Sequence, residues 1–262
     1  MQKSAVYFMW QLGQSFFSGN NVLVGAFNDV IRNAVRGENN PAKGYVQGSS
    51  ANASIITLGI EGVFSKDTVA SSNINPNQVI NYVACHDNYT LYDQLIQTMN
   101  PDRLNSAYSQ AESIVFLAQG VPFIQEGEDF MRSKLNPDTG KYEGNSYNVG
   151  DYVNVMDYSL KAKNIKMFNK VKELIAFRKN NASLRLPDRQ SVREKLKDLQ
   201  SSNGVISYSI DDLLVIHTLN PTTVELDGVY RIVYSSCRDL YPEVTGSIKL
   251  LINESIVLKR IR

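Results

Sequence analysis

The chain has 262 residues, 43% of them hydrophobic and 20% charged, which excludes disorder as its dominant state. Lys and Arg number 27 against 26 for Asp and Glu, so a net charge of +1 calls for no nucleic acid or other polyanion as partner. Two cysteines, Cys85 and Cys237, and two histidines, His86 and His217, exclude a disulfide scaffold and a histidine-rich metal site, and no cofactor is expected.

Residues 1–20 are apolar without a clear period. Lys3 followed by an apolar run to Trp10 has the outline of a signal peptide. That run stops at Gln11 with no clean small-x-small site behind it, so an atypical N-terminal segment is expected instead. No stretch of 18 apolar residues exists, so no membrane span is expected. The compartment stays open between cytoplasm and secretion or the cell surface. Val22 to Phe27 reads as a short buried strand, and Ile31, Ala34 and Val35 as one or two helical turns before Gly37. Residues 36–53 are rich in Gly, Asn and Ser and read as loop. An apolar stretch at 54–60 is followed by a polar loop over 64–78.

Val79 to Cys85 is apolar on both faces, as in a parallel sheet. Helices are expected over Thr90–Met99 and Ser106–Gln119, the second with Ala107, Ala111, Ile114, Val115 and Ala118 along one side. Gly120 stops that helix, and Val121–Ile124 is a third buried strand. A long polar connection over 126–163 precedes a helix from Asn164 to Asn180. Strand alternating with helix is the β/α pattern. Residues 188–200 read as a charged linker or helix face. From Gly204 only short strands occur, at 205–210, 213–219, 228–234, 246–251 and 255–258, separated by turn residues. They predict a small antiparallel β-sandwich at 201–262, expected to be the most autonomous part.

Three stretches carry chemistry. Cys85-His86-Asp87-Asn88-Tyr89-Thr90 stands at the C-terminal end of a strand, the edge where β/α folds bind ligands; equally, Asp87 or Asn88 could cap the helix that follows. Glu126, Glu128 and Asp129 share an eight-residue stretch with Arg132, and Arg132 or Lys134 is expected to compensate them. They could serve acid/base work, bind sugar hydroxyls or be a solvated strand exit. Asn145-Ser146-Tyr147-Asn148 suits carbohydrate, since amides match hydroxyl pairs and tyrosine packs on a pyranose face, but could equally form Asx turns. Asn28, Asp29 and Arg32 could bind ligand or tie the first strand to its helix. No phosphate-loop, dinucleotide, CxxC, HExxH or GxSxG pattern occurs.

Four pieces, in order and spacing, resemble the C-terminal half of type I pullulanases of the α-amylase superfamily. They are Phe27-Asn28-Asp29-x-Ile31-Arg32-x-Ala34, the run from Asn81 to Asp93 around His86-Asp87-Asn88, the run from Gly120 to Lys134, and Asn145 to Asn148. The resemblance covers about residues 21–262. It implies strands six to eight of a (β/α)8 barrel within residues 21–187, and then the β-sandwich. Strands one to five would lie on another stretch of polypeptide, the same or separate. By resemblance Asp87 is the carboxylate that stabilises the cationic transition state. His86 holds sugar hydroxyls, and Asn88, Tyr147 and Asn148 contact substrate. The nucleophile and acid/base of the retaining mechanism have no counterpart here, and Glu126, Glu128 and Asp129 match a structural segment. An acidic motif expected before strand six is absent, and Tyr92 replaces a usual tryptophan. The implied partner is an α-glucan such as pullulan, amylopectin or glycogen. The expected function is hydrolysis of α-1,6 bonds by an assembly of which this chain alone is an inactive part, or one half of a two-chain enzyme. The alternative is a non-catalytic glucan-binding protein. An open half-barrel is expected to self-associate or to be partly unfolded.

Overall fold

The computed structural model describes residues 25–64 and 74–262. The N-terminal segment, residues 22–24 of the first expected strand and part of the 64–78 loop lie outside them. Three short parallel strands form one sheet in the order β1 (Ala26–Phe27), β2 (Val79–Asn81), β3 (Val121–Pro122). Ala26 is in register with Val79, and Ile80 with Val121. Asn28 N–H donating to Ile80 O and Phe123 N–H donating to Asn81 O, each at 2.9 Å, carry the ladder one step further. The strands are shorter than their apolar runs because the chain leaves the sheet at Tyr82 to build the loop that carries His86.

Helices α1 (Asp29–Arg36), α2 (Ala53–Ile60), α3 (Leu91–Thr98), α4 (Leu104–Leu117) and α7 (Ile165–Asn180) pack around this sheet. The short helices α5 (Asp151–Asn154) and α6 (Ser159–Lys163) interrupt the long polar connection. Together these elements form part of a (β/α)8 core. Asn28 and Thr90 cap α1 and α3: their side-chain oxygens accept from Ile31 N–H at 3.3 Å and Asp93 N–H at 3.1 Å. The sequence predicts an apolar stripe on α4, but the helix is buried on all sides from Ala107 onward, because it is wedged between α7 and the second sheet. Arg178, placed by its spacing in the apolar stripe of α7, is 4% exposed. Its guanidinium donates to Phe116 O, Ala118 O and Gly120 O at 2.5, 2.7 and 2.6 Å, which fastens α7 to the turn between α4 and β3.

Residues 188–200 hold a helix, α8 (Arg189–Lys195), capped by Asp188, and the start of β4 (Leu196–Ser202). Most of their charges sit on exposed faces, which is why composition alone reads them as linker, but Arg189 is buried and donates to Glu61 Oε2 at 2.6 Å. The C-terminal sheet is antiparallel in the order β4, β5 (Val205–Ile210), β6 (Leu213–Thr218), β9 (Glu254–Arg260), β7 (Thr222–Ser235), β8 (Glu243–Leu250). Side chains alternate across it. Ile206, Tyr208, Val215 and Val257 join the core of the β/α part, whereas Ile216, Ile232, Ile248, Ile256 and Leu258 form a second cluster on the other face. The expected autonomous tail therefore shares its main core with the rest of the chain.

Candidate functional site

The turn 85–90 leaves β2 and enters α3. Thr90, not Asp87 or Asn88, caps α3, so neither of the other two side chains is engaged in capping. Asn88 adopts a left-handed conformation, φ 65°, which asparagine tolerates better than most residues. His86 and Asp87 point to solvent, with side chains 89% and 71% exposed and His86 Nε2 3.6 Å from Asp87 Oδ1. They stand at the C-terminal end of the parallel strands.

What fixes this turn comes from elsewhere in the chain. Lys134, 1% exposed, donates from Nζ to Asn88 O at 2.5 Å and to His86 O at 3.3 Å. Its backbone N–H donates to Asp93 Oδ2 at 2.7 Å, and Ser133 Oγ donates to Asp93 Oδ1 at 2.5 Å. Burial pushes the Asp93 carboxyl up and the Lys134 ammonium down from their usual ranges. Asn39 Nδ2 donates to Asn88 Oδ1 at 3.0 Å. Sequence reasoning assigned Lys134 to charge compensation and missed Asp93 and Asn39, whose partners lie up to 49 residues away.

At the end of β1, Asn28 is buried and serves the fold: besides capping α1, its Nδ2 donates to Asn81 Oδ1 at 3.0 Å. Tyr82 Oη donates to Asp29 Oδ1 and accepts from Arg32 Nη1 at 2.7 Å, so Asp29 and Arg32 tie the strand end to α1. Tyr82, Phe27 and Phe123 pack edge to face, with Phe27–Tyr82 and Phe27–Phe123 centroids 5.0 and 5.1 Å apart.

The carboxylates after β3 separate. Glu126 is exposed and accepts a hydrogen bond from Tyr158 Oη at 2.5 Å. Glu128 is buried against Glu112 of α4, and Gln125 N–H donates to its Oε2 at 3.0 Å. Burial and the shared proton of the pair push Glu112 well up, while burial brings Glu128 to about 7. Arg36, 1% exposed and brought down to about 10 by burial, lies near enough to Glu128 to favour its charge. The expected compensation by Arg132 or Lys134 is not found among the described residues: Arg132 Nη2 donates to Asn154 O at 3.0 Å, and Lys134 serves the 86–88 turn. A groove of about 430 Å³, lined by Ile124, Glu126, Phe130, Tyr158, Phe168 and Ile175, includes neither His86 nor Asp87.

Tyr147 is 82% exposed and Asn148 is exposed. Asn154 Nδ2 braces their loop by donating to Ser146 O and Val149 O, both at 2.8 Å. Gly144, just ahead of it, lies so close to the Tyr89 ring that a Cβ there would stand 3.3 Å from Cζ. The loop thus rises beside the turn that carries His86 and Asp87. Among the described residues no group of His, Cys, Asp and Glu has metal-holding geometry.

No family model matches the chain. Against curated proteins it is 32% identical over 216 residues to a pullulanase of Bacillus subtilis (strain 168), covering 77% of this chain and 29% of that protein. It is 26% identical over 231 residues to pullulanase A of Streptococcus pneumoniae, covering 70% of this chain and 17% of that protein. Among solved structures, pullulanase from Bacillus acidopullulyticus superposes with a TM-score of 0.79 at 26% identity, over 90% of this chain and 30% of that one. Type I pullulanase from Bacillus subtilis str. 168, complexed with maltose, gives 0.78 at 28% identity over 90% of this chain and 35% of that one. The chain is homologous to pullulanases, which are glycoside hydrolases, and spans about a third or less of the length of these relatives.

Proposed function

We propose that this chain forms one wall of the sugar cleft of a debranching glycoside hydrolase that cleaves α-1,6 bonds in pullulan, amylopectin or glycogen with retention. Asp87 stabilises the positive charge that develops on the sugar ring. His86 donates to hydroxyls of the same sugar, Asn88, with its side chain half-buried, lines the base of the turn, and Tyr147 and Asn148 meet the glucan farther out. Retaining hydrolysis needs one carboxylate to attack and a second to protonate the leaving oxygen. Both belong on barrel strands outside these 262 residues, on a preceding or separate polypeptide. The observation that carries this reading is the exposed His86–Asp87 pair at the C-terminal edge of a parallel sheet, with no capping task of its own.

The test uses the 262-residue chain alone and mixed with a polypeptide carrying the first five β/α units of the Bacillus subtilis relative. The chain alone is expected to leave pullulan intact, and the mixture to release reducing ends. Asp87→Asn in the mixture is expected to lower turnover by about a thousandfold, the scale of losing one electrostatic stabiliser. Turnover by the chain alone, or full turnover by Asp87→Asn, overturns the reading.

A further inference from the structure

We propose that Lys134 is a positioning residue of this site, a buried strut that sets where Asp87 stands. The proposal rests on the reading of Asp87 as the stabilising carboxylate, and its argument begins with exposure. The His86 and Asp87 side chains are 89% and 71% exposed and stand 3.6 Å from each other, so packing does little to orient them. Their placement is inherited from the backbone of residues 86–88. That backbone includes a left-handed residue, Asn88, a conformation disfavoured for a non-glycine residue that relaxes unless held.

The hold is unusual for a lysine. Lys134 is buried, and its ammonium spends its donors on two main-chain carbonyls, Asn88 O and His86 O, on either side of Asp87. Its own main chain is pinned in turn, through Asp93, to the first turn of α3. Ser133 adds a second bond to the same carboxylate. The turn is therefore clamped between the exit of β3 and the start of α3. Asn39 supplies a lesser brace from the segment after α1, at the Asn88 side chain alone. A lysine that served only to stabilise the core would be expected to pair with a carboxylate, whereas this one leaves Asp93 to backbone and hydroxyl donors.

Hydrogen–deuterium exchange on the full 262-residue chain tests the assignment. Lys134→Met keeps length and apolar stem but loses every donor. It is expected to speed exchange of the 86–89 amides by about tenfold or more, with α3, β2 and the β5–β6 hairpin changing by less than about twofold. Lys134→Arg, which keeps charge and donors, is expected to stay within about threefold of the parent. A folded Lys134→Met with unchanged 86–89 amides overturns the proposal. So does acceleration shared equally by α3 and β2, which marks a residue that merely holds the core. A measurement without substitution stands beside these: in the unaltered chain the Lys134 ammonium protons should exchange about tenfold more slowly than those of exposed lysines, and fast exchange refutes the strut. The Asp87→Asn mixture keeps the two readings apart. If it retains full turnover while Lys134→Met loosens the turn, the strut stands and the glucan reading falls.

Discussion

Glu126, Glu128 and Asp129 are neighbours in sequence with different fates, and the difference is burial. Glu128 turns inward to meet Glu112, and two carboxyl groups in a dry site cannot both ionise cheaply, so they hold a proton between them. Their folded affinity for protons exceeds that of the unfolded chain. The pair's contribution to stability is thus fully present below about pH 4.5 and is lost as pH rises through about 7. Glu112→Gln places an amide donor where the proton was. It should leave the urea midpoint at pH 5 nearly unchanged and stabilise the chain at pH 8 by about 1–3 kcal/mol, flattening the profile between them. A parallel fall in both chains from pH 5 to 8 would dismiss the shared proton.

At the scale of elements, β1 and β3 are, among the described residues, both edges of a parallel sheet, a kind of sheet normally covered on every side. Phe27 and Val121 are 45% and 39% exposed there, and Val30 at the start of α1 is 39% exposed. The isolated chain is expected to self-associate through these edges, and Val121→Lys to shift sedimentation toward the monomer by at least about tenfold in dissociation constant. A parent that sediments as a monomer at all concentrations contradicts this.

How far the sequence could foresee the elements follows from where their determinants lie. Hairpins of the C-terminal sheet were legible because Asp211 and Asn253 occupy left-handed turn positions between alternating strands. The apolar run at 54–60 showed no type, since a short apolar run fits a strand as well as a helix; it is α2, which buries Ala53, Ile56, Gly59 and Ile60. Asp87 was legible as a carboxylate at a strand exit, although its freedom from capping was not. Lys134 and Glu112 were invisible, because one reaches carbonyls 46 and 48 residues away and the other a carboxylate on a different element. Local pattern cannot report such pairings.

Across the whole molecule, the two sheets are joined by buried polar bonds as well as by a common core. Tyr45 Oη donates to Gly204 O at 2.8 Å, Tyr208 Oη to Leu117 O at 2.8 Å, and Gln110 Nε2 to Thr218 O at 2.8 Å. Asn253 Nδ2 donates to Val46 O at 3.0 Å. His217, fully buried in β6 with Nδ1 2.7 Å from Ser255 Oγ, is held neutral, its pKa brought down to about 3 by burial. Its contribution is complete above pH 6.5 and is lost as pH falls toward 3, opposite in sign to the Glu112–Glu128 pair. Protection factors of β6 and β9 amides, which correct exchange for its intrinsic pH dependence, should therefore fall on acidification from pH 6.5 to 4, and constant protection factors would show that His217 carries no such linkage.

The buried bonds that run from Tyr45, Gln110 and Tyr208 across the seam also bear on covalent continuity. A protease cutting between Pro187 and Arg189 would sever the backbone without parting the halves. The two fragments should migrate as one species in native gels and come apart in urea, so that here the peptide link matters less to cohesion than the shared interior it bridges.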